Sequence, residues 1–223
     1  MSKRSAAPGS PTRWATDTGP EHSQWYVDRF RQLAAEGADL AGEARLVDAL
    51  VPPRSRILDA GCGTGRVGAE LAARGHTVVG VDADPVLVEA ARADHPGPRW
   101  LVADLTTLDL AAAGEPEPFD AAVLDLAAAG EPEPFDAAVL AGNVMTFVAA
   151  GTEVAVLRQV AAHVRPDGVI AIGFGTDRGY PLADFDAHVA AAGLRRDHRF
   201  ATWDLRPWHD DADFAVTVLR RPA

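Results

Sequence analysis

The chain has 223 residues, 48% of them hydrophobic and 24% charged, which is ordinary for a globular protein and enough to bury one sizeable core. Its net charge of −11 argues against a nucleic-acid surface, which would need a basic stripe, and no window approaches the roughly 20 apolar residues of a membrane span. Cys62 is the single cysteine, so no internal disulfide can form, and Lys3 and Arg4 are not followed by an apolar signal core; a reducing, cytoplasmic setting is the expectation.

Residues 1–20 carry Pro8, Gly9, Pro11, Gly19 and Pro20 without an apolar period, and a mobile N-terminal segment is expected there. From 21 to 50 the pattern turns helical. Trp25, Phe30, Leu33, Leu46, Val47 and Leu50 supply apolar faces, with a break across 37–42. Pro52 and Pro53 stop the helix, and residues 51–223 read as one domain whose sheet opens at 56–59. A crossover helix is expected over 66–74, ended by Gly75, and a second strand over 77–81. Asp84 followed by Pro85 marks a helix start, with Asp84 as its N-cap. That helix runs over 87–93 and a third strand over 99–103. Further on, 154–164 is helical, 166–168 is a tight turn, 169–174 is strand five and 182–192 is a helix ended by Gly193. Two last strands, 198–205 and 214–220, form a hairpin.

A perfect tandem repeat occupies 108–139: residues 108–123 read L-D-L-A-A-A-G-E-P-E-P-F-D-A-A-V, and 124–139 repeat them letter for letter. Two units do not make a solenoid, which needs three or more, so the repeat is a recent duplication or an assembly anomaly of the sequence. The strand-like F-D-A-A-V-L therefore occurs twice, at 119–124 and 135–140. Only the second runs directly into A-G-N-V-M-T-F. Strand four is assigned to 135–140, with 16 surplus residues before it. Surface insertions of this size cost little loop entropy.

The chemistry concentrates between the first two strands. Residues 57–66 read I-L-D-A-G-C-G-T-G-R: an apolar run reaches Asp59 and then turns through Gly61, Gly63 and Gly65. Glycines there permit positive φ and close approach of the backbone to a ligand. Seventeen positions past Gly65 the second apolar run ends in Asp82, where a carboxylate is placed to hold ribose hydroxyls. The dinucleotide fingerprint G-x-G-x-x-G would put glycine where this chain has Arg66.

D-A-G-C-G-T-G closely resembles the first motif of the class I S-adenosylmethionine-dependent methyltransferases, and the likeness extends over about residues 45–220. It implies an α/β, Rossmann-like sheet in the order 3-2-1-4-5-7-6, with helices on both faces and an N-terminal helical lid over 21–50. It also implies S-adenosylmethionine as cofactor, its methionine part near Asp59, Gly61, Cys62, Gly63 and Gly65. Asp82 and Ala83 would hold the ribose, and Asp104 and Leu105 the adenine. Gly142 and Asn143, after strand four, would line the site near the transferred methyl. Cys62 reads as a small packing residue of the loop rather than a nucleophile.

The acceptor side is less marked. His22 and Tyr26, on one face of the lid, are the candidates for catalysis, against the blander reading of His22 as a solvated residue near a helix start. Asn143, Asp177 and Tyr180 are candidates for the substrate, because they follow strands four and five at the edge where ligands bind; Asp177 and Tyr180 read equally as turn residues. Trp203 and Trp208 could wall a pocket or pack in the core. Asn143 is followed by Val144 and Met145, not by the P-P-Y of adenine and glutamine methylation, so those substrates are not expected. No cluster has metal-ligand spacing. The expected function is methyl transfer to a small molecule, without nucleic-acid or membrane partners. A non-catalytic S-adenosylmethionine-binding sensor or partner subunit is the first alternative. A nucleotide-dependent oxidoreductase is the second, disfavoured by Arg66 and Asp59.

Overall fold

A computed structural model describes residues 10–19, 21–110 and 133–223. Five strands run parallel: β1 (Arg56–Ala60), β2 (Thr77–Asp82), β3 (Arg99–Val102), β4 (Phe135–Leu140) and β5 (Val164–Gly175). β6 (Arg195–Phe200) and β7 (Phe214–Arg220) close the sheet as an antiparallel pair, giving the order β3-β2-β1-β4-β5-β7-β6. β4 is the second copy of the repeated strand. The first candidate, 119–124, lies outside the described residues.

Eight helices accompany these strands among the described residues: α1 (Arg13–Asp17), α2 (His22–Ala35), α3 (Gly42–Leu50), α4 (Arg66–Ala73), α5 (Pro85–Asp94), α6 (Val144–Phe147), α7 (Glu153–His163) and α8 (Leu182–Ala191). Strand periodicity sorts them onto two faces. Ile57, Val139 and Ala171 point toward Val47 of α3 and Leu71 of α4. Their neighbours Leu58, Leu140 and Ile172 point the other way, into Leu157 of α7 and Phe185 of α8. Central strands covered on both sides must be apolar where they are covered, and 137–140 of β4 and 169–175 of β5 are.

Three local expectations need correction. Within the stretch expected to be mobile, residues 13–17 form α1, with the Thr12 hydroxyl accepting from Ala15 N at its start. The turn expected at 166–168 is not a break before β5. It is an excursion inside the strand, since Val164 pairs with Phe135 and Val169 with Ala137. Asp167 takes φ 59° there and its N–H donates to Arg221 O at 2.8 Å, so the C-terminal residues hold the excursion in place. The sixth strand, expected at 198–205, runs from Arg195 to Phe200. Ala201 N donates to Arg206 O and Leu205 turns to φ 65°, which takes the chain out of the ladder.

The consequence for function is one of placement. The carboxyl ends of β1 to β4 gather along one edge, and the strand order reverses between β1 and β4. Such a switch point leaves a crevice above the sheet.

Candidate functional site

β1 carries Asp59 to that edge, and the chain then turns over it. Gly61 sits at φ 82°, and a Cβ there would lie 2.4 Å from Val144 Cγ2, so only glycine fits. The turn is stitched to the neighbouring strand: Gly61 N and Cys62 N donate to Val81 O, and Gly63 N donates to Asp82 Oδ2 at 2.9 Å. Beneath it the Trp100 indole fills a slot left open by Gly65, Gly68 and Gly80. Cys62 packs with Trp100, Val88 and Ala91, and burial pushes its thiol up, which suits packing and not nucleophilic attack.

Asp59 is only 1% exposed and accepts from Gly68 N, in the first turn of α4, at 2.9 Å. Burial pushes its carboxyl up to about 7, and the Gly68 N–H and the Arg66 charge hold it from going further. Asp82 accepts from Gly63 N on one oxygen and from Asp84 N on the other, both at 2.9 Å, and burial raises its pKa as well. Asp104 accepts from the N–H and the hydroxyl of Thr106, each at 2.8 Å.

The N-terminal helices fasten over this edge at two points. Asp84 caps α5 through Val86 N with one oxygen. Its other oxygen accepts from Trp14 Nε1 at 2.8 Å and from the Ser23 hydroxyl. Arg66, where the dinucleotide fingerprint has glycine, binds Glu43 of α3 through both terminal nitrogens and donates to Leu40 O at 2.8 Å. Its guanidinium also lies 5.2 Å from the centroid of the Phe30 ring on α2. Trp14 stands edge-on to Tyr26 (5.4 Å, 88°) and to Phe147 of α6 (5.3 Å, 87°).

These elements enclose a cavity of about 470 Å³. It brings together Asp59, Gly61, Cys62 and Gly63 with Asp82, Ala83, Asp104 and Leu105, and adds Tyr26 and Gly142 from the predicted set. Tyr26 bridges both halves, its ring 3.6 Å from where a Cβ would stand on Gly63 and its hydroxyl 3.6 Å from where one would stand on Gly142.

The other candidates do not line it. Gly65 faces Trp100 instead of the opening. Asn143, at φ 68°, turns its side-chain oxygen to accept from Gly175 N at 2.8 Å, so it ties β4 to β5. His22 stacks on Trp25 at 5.1 Å, outside the chamber. Asp177 is exposed beside Arg178. Tyr180 is buried against Phe174 and Phe185, its hydroxyl on His188 Nδ1 at 2.8 Å. Trp203 covers Gly173 on the face shared with α3, and Trp208 packs under Arg199. In their place stand residues that sequence reasoning missed: Trp14, Ser23, Thr106 and Phe147. Among the described residues no helix is long and apolar enough to cross a membrane, and no group of three or more His, Cys, Asp or Glu is arranged to hold a metal.

A family model described as a methyltransferase domain matches residues 58–170. The structure of a TehB-like SAM-dependent methyltransferase from Corynebacterium glutamicum superposes with a TM-score of 0.78 at 38% identity, covering 91% of this chain and 100% of that one. A magnesium-protoporphyrin O-methyltransferase of Rhodobacter capsulatus is 44% identical over 69 residues, 30% of each chain. An uncharacterized methyltransferase of Mycobacterium tuberculosis is 46% identical over 81 residues, 35% of this chain and 39% of that one. The chain thus spans only about a third of the length of these two curated relatives.

Proposed function

The chain belongs to the class I S-adenosylmethionine-dependent methyltransferase family, and from that premise we propose that it transfers the methyl of S-adenosylmethionine to a small-molecule acceptor. The observation that carries the reading is the convergence of Asp59, Asp82 and Asp104 on one cavity, at the ends of three adjacent parallel strands. The residues suit the cofactor. Asp82 is a half-buried carboxylate with raised pKa that accepts from backbone N–H groups, and a ribose diol would add donors to the charged form. The turn at Gly61 packs its backbone against Val144, where a Cβ would come within 2.4 Å, and this close packing sets the path of the loop that borders the cavity.

In this reading Asp59, Gly61, Cys62 and Gly63 hold the methionine part, Asp82 and Ala83 the ribose, and Asp104 and Leu105 the adenine. Gly142 borders the methyl. The sulfonium supplies an already activated methyl for in-line displacement, which leaves the protein to supply orientation and a dry site. Tyr26 serves both needs, its ring against Gly63 and its hydroxyl against Gly142. Burial raises its pKa, so it stays a phenol and orients an acceptor by hydrogen bonding instead of acting as a base. α2 and α3 form the lid over 21–50, and 51–223 form the catalytic body. The acidic surface, at net charge −11, supports a small molecule over nucleic acid, and the name of the Rhodobacter relative points the same way. The single cysteine fits a reducing cytoplasm.

Isothermal calorimetry with S-adenosylmethionine, S-adenosylhomocysteine and NAD tests the reading. The first two should bind and NAD should not. Binding of NAD alone would return the chain to nucleotide-dependent redox chemistry. Release of S-adenosylhomocysteine with an added acceptor then separates an enzyme from a binding module.

A further inference from the structure

The acceptor end of the cavity differs from the cofactor end in composition. Trp14, Tyr26 and Phe147 come from three separate helices and meet there edge to face, with Val148 and Ala149 beside them. An aromatic wall suits a further flat group, which gains by stacking offset or standing edge-on against it. The Trp14 ring is held in place, because its N–H is bound to Asp84 at 2.8 Å.

Charge is distributed one-sidedly. Four carboxylates line the cavity, Asp59, Asp82, Asp84 and Asp104. Among the described residues Arg66 is the one lining cation, and it is committed to Glu43 and Leu40 O. Among the described residues no uncommitted cation is positioned to receive an anionic acceptor, which would meet like charges on Asp82, Asp84 and Asp104 in a partly desolvated space. An uncharged ring meets apolar and aromatic walls and loses little on leaving water.

We infer that the acceptor is an uncharged, ring-bearing molecule, methylated on a hydroxyl or amine, and that carboxylates and inorganic oxyanions are excluded. This rests on the methyl-transfer reading of the same cavity and narrows its substrate class.

The test uses the full chain loaded with S-adenosylhomocysteine and three probes that share a ring system, naphthol, naphthylamine and naphthoate. Calorimetry should show naphthol and naphthylamine binding at least about tenfold more tightly than naphthoate, as expected for a charge facing fixed like charges. Phe147→Leu should weaken naphthol severalfold and leave S-adenosylhomocysteine affinity unchanged. Phe147 is half-buried, so leucine should be accommodated, and an unchanged melting temperature confirms it. Naphthoate binding as tightly as naphthol, no binding of either neutral probe, or naphthol affinity indifferent to Phe147→Leu would each overturn the inference. A chain that fails to take up S-adenosylhomocysteine in the first place refutes the proposed function instead, so the two failures are distinct.

Discussion

Replacing Asp59 with asparagine should stabilise the ligand-free protein at neutral pH while impairing cofactor binding. The carboxyl is 1% exposed, and burial lifts its pKa from 3.8 to about 7. Because the folded value is the higher one, the folded protein keeps a proton between about pH 4 and 7 that the unfolded chain has lost. Stability from this group is therefore full below pH 4, falls as pH rises, and levels off above 7. At 1.36 kcal/mol per unit, the span from pH 5 to 8 is worth about 3 kcal/mol. Asparagine carries no titrating proton, and its amide oxygen can still accept from Gly68 N, so the variant should lack this slope. The assay is urea unfolding of both proteins without ligand at pH 5 and pH 8, followed by tryptophan fluorescence. Asp82 titrates in both, so the difference between the two proteins isolates Asp59. The variant should gain about 3 kcal/mol on the wild type between the two pH values and lose S-adenosylmethionine affinity at both. A wild-type-minus-variant difference that does not change with pH would refute the burial argument.

Asp82→Ala should weaken S-adenosylmethionine by roughly 1.5–3 kcal/mol for each ribose hydroxyl bond lost, and calorimetry showing unchanged affinity would sink that assignment. Gly61→Ala places a Cβ at φ 82° and 2.4 Å from Val144 Cγ2, so a loss of about 2–4 kcal/mol is expected by chemical denaturation, partly restored when Val144→Ala is added. Phe135 is 4% exposed in the middle of the sheet, and Phe135→Asp should destabilise the protein severely in a melting experiment, while Phe119→Asp in the other copy of the repeat should be mild. The opposite order would assign strand four to the first copy. Deleting 108–123 leaves the copy that carries β4 and should retain both the fold and cofactor affinity.

The parallel half of the fold was legible because its signals are local. β1, α4, β2 and α5 follow one another within about forty residues, each bounded by a glycine turn or a cap, and their periods of two and 3.6 are read directly from the chain. The mistakes fall where a distant segment decides. Pro166-Asp167-Gly168 has the composition of a turn, yet Arg221 accepts from Asp167 N and donates to Gly168 O, which draws it into β5. Phe200 ends β6 because Ala201 bonds across to Arg206, a contact with no local marker. α6 has four residues, too few to show a period, so Phe147 gave no signal of its own.

The two halves of the cavity divide along the same line. Its donor side is one βαβ unit: the turn after β1 bonds the end of β2, and a motif of a few letters specifies both. Asp84 shows where such local reading stops. Its role as the cap of α5 was evident from the proline behind it, but its second oxygen holds Trp14, 70 positions away, and Ser23, 61 positions away. A carboxylate has more acceptor capacity than a cap consumes, and no local pattern names the donor that takes the rest. The acceptor side is assembled from such distant donors and rings, Trp14 from α1, Tyr26 from α2 and Phe147 from α6. None of them contributes to the cores that join the sheet to α3, α4, α7 and α8. Substitutions at Trp14 and Phe147 can therefore reshape what the chamber accepts while the turn after β1 keeps its packing, which is why the cofactor is written in a motif and the proposed acceptor end only in the assembled wall.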